Sequence, residues 1–270
     1  MPYHPPPQAV LADFGLADMP LERLAGGQGT SWRAGDLVFK PADLQVAELL
    51  WLAEVLSTVE CDGFRVARPR LAVDGSLRAD GWFATEYVAG RHAAGRWPEV
   101  IAVGDRFHAA LAGVARPAFL DQRDNPWAIG DRVAWNELPA GEFAQVSHLD
   151  RLVAARRPVS AASQVIHGDL CGNVLFHDEL PPAIIDFSAY WRPVAFTSAI
   201  VVADALVWEG ADARLLAAVS SIEDFGQYLI RALIYRSVTD WLFRGTGPVA
   251  QANPDPWLAA ANLACQLAAS

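Results

Sequence analysis

The stretch Gln164–Tyr190, QVIHGDLCGNVLFHDELPPAIIDFSAY, constrains this chain more than any other. Two short apolar runs, Val174–Phe176 and Ala183–Phe187, are joined by a polar connection, His177–Pro182, that ends in proline. Apolar runs of this length bounded by turn residues read as strands, so the stretch predicts a β-hairpin. Ahead of it stands His167-Gly168-Asp169, with Asn173 four residues beyond the aspartate, and the second run ends at Asp186-Phe187. A small apolar hairpin is therefore flanked by three polar groups that can converge: Asp169, Asn173 and Asp186.

Those residue types suit one kind of chemistry. A carboxylate (Asp186) and an amide oxygen (Asn173) are hard oxygen ligands of the sort Mg²⁺ takes when it also holds phosphates. A second carboxylate off the metal (Asp169) can accept a proton from an attacking hydroxyl. An H-x-D loop with a following Asn, then a hairpin ending in Asp-Phe, resembles the catalytic and metal loops of the protein-kinase-like superfamily. His-Gly-Asp and Asp-Phe-Ser in particular resemble the aminoglycoside phosphotransferase and choline kinase-like branch of small-molecule kinases. That branch places four residues between the Asp and the Asn. Here only Leu170, Cys171 and Gly172 intervene, so the loop is one residue tighter.

The rest of the chain is compatible with such an enzyme. Its 270 residues are enough for two lobes, and 53% hydrophobic against 19% charged residues mark a globular protein. A net charge of −10 argues against nucleic acid as a partner. Cys61, Cys171 and Cys265 are too far apart in sequence for a C-x-x-C metal site and do not read as a disulfide framework. Cys171, inside the loop, reads as a small filler and not as a reactive thiol. Met1–Pro7 is Pro-rich and reads as an extended arm without the features of a secretory signal. The most apolar segment, Phe196–Trp208, is too short for a membrane span and contains Asp204. These features predict a cytoplasmic protein with no membrane partner; they do not assign an oligomeric state.

In the first part of the chain, Thr30–Ala34 and Leu37–Lys40 read as strands split by the Gly35-Asp36 turn, behind the glycine loop Gly26-Gly27-Gln28-Gly29. No Gly-Lys-Ser/Thr follows, and strands follow where a Rossmann fingerprint needs a helix. The resemblance implies that Gly27 and Gly29 approach the nucleotide phosphates and that Lys40, one strand on, neutralises them. Asp43–Ser57 has helical periodicity. Glu48 shares a face with Leu44, Trp51, Leu52 and Val55, so a buried carboxylate there needs a cation, and Lys40 is the expected partner. Glu54, beside Ser57 and Thr58, fits a solvated position. Arg65–Val73 and Gly81–Val88 add strands around Asp74-Gly75, which makes a sheet of about five strands with one helix. By the resemblance, Glu86 and Val88 belong to a hinge whose backbone contacts adenine.

From Trp97 onward helices take over. Glu99–Val114, Ala195–Val207, Ile222–Phe243 and Pro256–Ala269 read as helices, the last two amphipathic. His108 reads as a packed core-edge residue. Asp121–Glu137 lacks periodicity; Arg123, Asp131, Arg132 and Trp135 either face a substrate or form a packed loop with ion pairs. Trp191, Asp204, Trp208 and Glu209, with Asp212, lie where the resembled branch gathers substrate contacts, although solvated helix-end residues read the same way.

The resemblance thus implies an α+β, bilobal protein-kinase-like fold: a β-rich lobe over 1–88 and a mostly helical lobe over 89–270. It implies transfer of the γ-phosphoryl group of ATP, or GTP, with Mg²⁺, to a hydroxyl of a small molecule such as an aminoglycoside or amino sugar. In that reaction Asp169 deprotonates or orients the acceptor, His167 shapes the loop, and Asn173 and Asp186 hold the metal. With Gly168 where regulated protein kinases have Arg, activation-loop control is not expected. A nucleotide-binding pseudokinase with a scaffold role, and a kinase acting on protein, are the other readings.

Overall fold

The computed structural model describes residues 4–25, 29–245 and 255–269. In chain order, α1 (Gln8–Asp13) and β1 (Leu21–Arg23) precede β2 (Trp32–Ala34), β3 (Leu37–Pro41), α2 (Val46–Thr58), β4 (Arg65–Val66), β5 (Pro69–Arg70) and β6 (Trp82–Glu86). Helices α3 (Trp97–Ala110), α4 (Pro126–Ala134) and α5 (Leu149–Ala155) follow. Next come four short strands, β7 (Gln164–His167), β8 (Val174–Leu175), β9 (Ala183–Ile184) and β10 (Ala189–Arg192). The chain then closes with α6 (Ala195–Trp208), α7 (Phe225–Arg244) and α8 (Pro256–Leu267). These elements form two compact units. One comprises Met1–His92 with Gly172–Phe187; the other comprises Ala93–Cys171 with Ser188–Ser270.

The first unit is built on a five-stranded antiparallel sheet in the order β1-β2-β3-β6-β5. Strand β3 is central because Leu37, Val38 and Phe39 are all buried, as a strand covered on both faces requires. Helix α1 covers one face with Val10, Leu11 and Phe14, and Phe14 meets Phe39 edge-on at 5.4 Å. The five-strand expectation holds in number but not in membership. Leu21–Arg23 supplies an edge strand, and Arg65–Val73 divides: Pro69–Arg70 pairs with β6, whereas Arg65–Val66 runs parallel to β9. Pro41 closes β3 from inside the strand. Residues 4–7, the described part of the expected arm, carry neither helix nor strand.

The hairpin forms as the sequence predicts. Strands β8 and β9 pair antiparallel with Val174 opposite Ile184, and β4 extends the pair to three strands.

The second unit is mostly helical, and its core helices are not amphipathic. Residues 225–239 of α7 are buried without a break, and α6 is buried along nearly all its length. A helix enclosed on every side needs an apolar surface all round, or partners for each polar group it carries. Among the described residues, no helix is long and apolar enough to cross a membrane. The segment Asp121–Glu137, expected to be irregular, holds α4. Asn125 caps that helix by accepting from the Ala128 amide at 2.9 Å, and Pro126 occupies its first turn. Strands β7 and β10 pair with Ala189 opposite His167.

Helix α4 lies so close to α7 that a Cβ on Gly130 would stand 2.4 Å from Thr239 Oγ1 and 2.7 Å from the Tyr235 carbonyl oxygen. Gly130→Ala should therefore destabilise the protein by about 1–3 kcal/mol. Urea unfolding should show a lower midpoint with an unchanged slope; an unchanged midpoint would mean that the two helices part without cost.

Candidate active site

The first unit assembles one set of the expected residues. Strands β1 and β2 pair with Arg23 opposite Trp32. Gly29 has φ +68°, and its carbonyl oxygen accepts from Arg23 Nε at 3.0 Å and Nη2 at 2.8 Å. Gly27 lies outside the described residues. Lys40 ends the apolar part of β3. Its ammonium bonds the Asp186 carboxylate. The two residues are 146 positions apart, and the bond forms because β3 and the hairpin belong to the same unit. Glu48 is buried in the first turn of α2, where a carboxylate suits the helix dipole, and Glu54 is exposed.

Asn173 and Asp186 stand at one end of the hairpin. The Ile185 amide donates to the Asn173 carbonyl oxygen at 3.0 Å, continuing the ladder one step past Val174. Asp186 then leaves the strand with φ +52°, a left-handed conformation that Asp tolerates better than most residues. Phe187 holds this turn by packing on Trp51 of α2 at 6.0 Å. Further along the first unit, the Glu86 amide donates to the Arg68 carbonyl oxygen, while its side chain faces Arg70 at 3.4 Å; Val88 is half-buried.

The second unit holds the His-Gly-Asp loop. The His167 amide donates to His108 Nε2 at 3.0 Å, which places the His108 proton on Nδ1. His108 is buried, not at the core edge. Burial, reinforced by the neighbouring His167, pushes its pKa down to about 3, so it stays neutral. The Asp169 amide donates to His167 Nδ1 at 3.1 Å, and Thr197 Oγ1 donates to the His167 carbonyl oxygen. His167 thus shapes the loop by hydrogen bonding. Glycine at 168 is a steric requirement: a Cβ there would stand 2.3 Å from Tyr190 Cδ2.

One residue at this loop had no signal in the motif. Arg236, inside α7, donates from Nη2 to Asp169 Oδ1 at 2.5 Å. The same guanidinium grips Asp204 of α6, Nε to Oδ1 at 2.7 Å and Nη2 to Oδ2 at 2.6 Å. Asp204, expected to contact substrate, is instead buried and committed to Arg236, because α6 has no solvated face at that position. The available signal was a charged residue inside an otherwise apolar run, ALIYR, which must have a buried partner.

Glu209 accepts from Cys171 Sγ at 3.0 Å and from Trp97 Nε1, tying the loop to the end of α6. Burial, with the nearby Asp204 and Glu209, pushes the Cys171 thiol far up, as befits an inert filler. Trp208 is half-exposed and meets Trp257 edge-on at 5.3 Å. Trp191 lines a cavity of about 210 Å³ with Tyr190, Arg123, Arg132, Asp131 and Arg192. Asp131 is buried and holds Arg192 through two bonds of 2.6 and 3.0 Å, so it belongs to an ion pair in the cavity wall. Trp135 is packed between the guanidinium groups of Arg192 and Arg231, at 5.0 and 4.9 Å.

Residues 21–226 match the model of the phosphotransferase enzyme family. No curated protein matches the chain. Among solved structures it is similar to spectinomycin phosphotransferase APH(9)-Ia in complex with ADP and spectinomycin, with 14% identity, 97% of this chain and 96% of that one covered, and a TM-score of 0.58. A choline/ethanolamine kinase family protein from Mesorhizobium loti is 18% identical, with 97% and 92% covered and a TM-score of 0.54. The GDP complex of aminoglycoside 2'-phosphotransferase-IIIa is 14% identical, with 96% and 95% covered and a TM-score of 0.56. At these identities the likeness is one of fold, and the fold is the kinase-like α+β one.

Burial raises the Asp204 carboxyl to about 6 despite the attraction of Arg236, and Asp169 and Glu209 add to the rise. A carboxyl group whose pKa is higher in the native chain than in the unfolded one contributes stability below its unfolded pKa, near 4, and loses it as pH rises to about 6. The unfolding free energy of the wild type minus that of Asp204→Asn should therefore fall by on the order of 1–3 kcal/mol between pH 4 and 6.5. Denaturant titrations across that range test this; a difference that does not vary with pH would place Asp204 back at its ordinary value.

Proposed function

The chain belongs to the phosphotransferase enzyme family, and from that premise we propose that it moves the γ-phosphoryl group of ATP to a hydroxyl of a small molecule. The observation that carries this reading is the pairing of Lys40 with Asp186 in the first unit, with Asn173 one step away on the same hairpin. A strand-end lysine and a carboxylate brought together from 146 positions apart, with an asparagine on the same hairpin, are the residue types that a phosphate-and-metal site needs.

In this proposal the acceptor oxygen attacks the γ-phosphorus, the bond from that phosphorus to the β–γ bridging oxygen breaks, and ADP leaves. The hydroxyl proton passes to the Asp169 carboxylate and from there to solvent. Lys40 neutralises phosphate charge, and the main chain of Gly27 and Gly29 approaches the phosphates. Glu48 buttresses the Lys40 strand from α2, and the main chain of Glu86 and Val88 faces the base. Mg²⁺, when bound, would be held by Asp186 and Asn173 and would neutralise charge on the phosphate oxygens. The donor set fits that ion: both groups are hard oxygens, and the Asp186 side chain is 45% exposed. In this reading the unit of Met1–His92 with Gly172–Phe187 serves the nucleotide, and the unit of Ala93–Cys171 with Ser188–Ser270, which departs from a lobe boundary at 88 by giving up the hairpin, serves the acceptor.

The relatives of this fold bound to ADP and to GDP support a purine nucleotide as donor, ATP first and GTP second. Spectinomycin bound to one of them supports a small hydroxyl-bearing acceptor. Trp191, Trp208 and Glu209 are the side chains proposed to meet that acceptor, an aromatic and acidic set suited to amino sugars.

Thermal unfolding with ATP, GTP and ADP, with and without Mg²⁺, tests the nucleotide site. At a hundredfold excess over Kd, a bound nucleotide stabilises the native state by about 2.7 kcal/mol. Wild type should show a Mg²⁺-dependent rise in midpoint with ATP. Asp169→Asn should keep that rise and lose phosphoryl transfer, Asp186→Ala should lose the Mg²⁺ dependence, and Lys40→Ala should weaken ATP binding at least tenfold. Retention of the Mg²⁺ dependence in Asp186→Ala would sink the metal assignment, and no rise with any nucleotide would move the function to a scaffold role.

A further inference from the structure

The loop that carries Asp169 is one residue shorter than in the branch it resembles, and between Gly168 and Val174 it contains no lysine or arginine. A cation reaches the aspartate from elsewhere. Arg236 lies in the interior of α7, and its side chain is only 8% exposed, as is that of Asp204. Asp169 is different: its side chain is 41% exposed. The guanidinium is thus fixed at its buried end by a two-bond grip on Asp204, and the far side of the same Nη2 presents a hydrogen to a carboxylate that faces outward.

We propose that Arg236, anchored by Asp204, is a positioning residue for phosphoryl transfer, setting the orientation from which the Asp169 carboxylate receives the acceptor's proton. The inference rests on Asp169 being the base. Three features of the geometry support it. A guanidinium held by two bonds has its plane fixed, so the direction of its remaining hydrogen bond is fixed as well. An arginine needed only to join α6 to α7 would be satisfied by Asp204 alone, whereas this one extends to the candidate catalytic oxygen. The backbone of the loop is meanwhile secured at other points: His167 by His108, Leu170 by its burial against Gly104, and Cys171 by Glu209. Those tethers hold the residues on either side; Arg236 holds the Asp169 side chain and, through it, steadies the main chain of residues 169–172.

The arrangement requires a fork and not merely a charge. Lysine at 236 keeps the cation but cannot grip Asp204 through two bonds while donating to Asp169 in a set direction. Misplacement of a reacting group by about 1 Å costs on the order of 100-fold in rate.

The test uses Arg236→Lys, Arg236→Met and Asp204→Asn in the full chain, with Mg·ATP as the nucleotide and water or an aminoglycoside as acceptor. Arg236→Lys should bind Mg·ATP within about twofold of wild type, keep KM for ATP, and lose about 100-fold in kcat. Asp204→Asn should shift kcat in the same direction by about tenfold, and amide hydrogen exchange at residues 169–172 should quicken in all three. Full kcat in Arg236→Lys, or a loss confined to KM, would overturn the proposal. Should wild type bind nucleotide without measurable turnover, amide exchange decides: unchanged protection of the loop in Arg236→Lys overturns the clamp, and lost protection with an unchanged global unfolding midpoint upholds it. Failure of wild type to bind Mg·ATP counts against the phosphotransferase reading alone, and the exchange result still upholds or overturns the clamp.

Discussion

A guanidinium enclosed in the helical unit is the interaction on which the rest of that unit depends. Helix α7 is buried along residues 225–239, so Arg236 has no route to solvent and its charge must be met inside. Transferring an isolated ion into such surroundings costs several kcal/mol even after relaxation, and breaking a buried pair by removing one partner costs about 3–5 kcal/mol. Asp204 on α6 meets that requirement and thereby fixes the facing of α6 against α7. The two helices could be joined more stably by apolar side chains, since buried ion pairs seldom outperform well-packed hydrophobic ones. What the ion pair adds is direction. It carries a fixed hydrogen-bond donor to Asp169, and apolar packing cannot do that.

Around this pair the loop is held by groups that stay neutral or are sterically exact in their fit. His108 accepts from the His167 amide and, with a pKa near 3, remains an acceptor throughout the working range of pH. A protonated imidazole there would turn an acceptor into a donor facing a donor. Gly168 permits the Tyr190 ring to close over the backbone just before Asp169, where any side chain would collide with it. Tyr190 in turn reaches Tyr235, the residue before Arg236, with hydroxyl oxygens 3.2 Å apart. Strand, loop and helix are thus tied together within a few residues of the same carboxylate.

The parts of this arrangement that were legible in the sequence are those whose signal is local. The hairpin was visible because two apolar runs are separated by a proline-ended polar link, and β3 because Leu37-Val38-Phe39 is apolar without a break. Helix α1 has six residues, too few to display a period. Strand β1 is exposed at an edge and so lacks alternation. Helix α4 hid behind a proline and a scatter of charges whose partners, such as Arg192 for Asp131, lie about sixty residues away. Asp186 stood out in its motif, but its bond to Lys40 was not legible, because the helical periodicity of α2 offered Glu48 as a nearer carboxylate. Arg236 was the hardest to read: its meaning depends on two carboxylates that are distant in sequence, and a run of buried residues shows no face from which to infer a partner.

The two units meet their charges in opposite ways, and that difference has a functional logic. Lys40 and Asp186 form a single-contact pair with the lysine 16% and the aspartate 45% exposed, so water reaches it from the carboxylate side. Arg236 and Asp204 form a pair that solvent scarcely reaches and that is costly to disturb. Under the proposed function, a site that admits a polyanion and its metal would need charged groups that can let go of each other and take new partners. A base that must receive a proton at a set angle needs the reverse, a carboxylate whose orientation is settled before the substrate comes. For the proposed phosphoryl transfer, that division would put the more accessible charge at Lys40 and Asp186 and the anchored charge behind Asp169, according to how deeply the chain buries each pair.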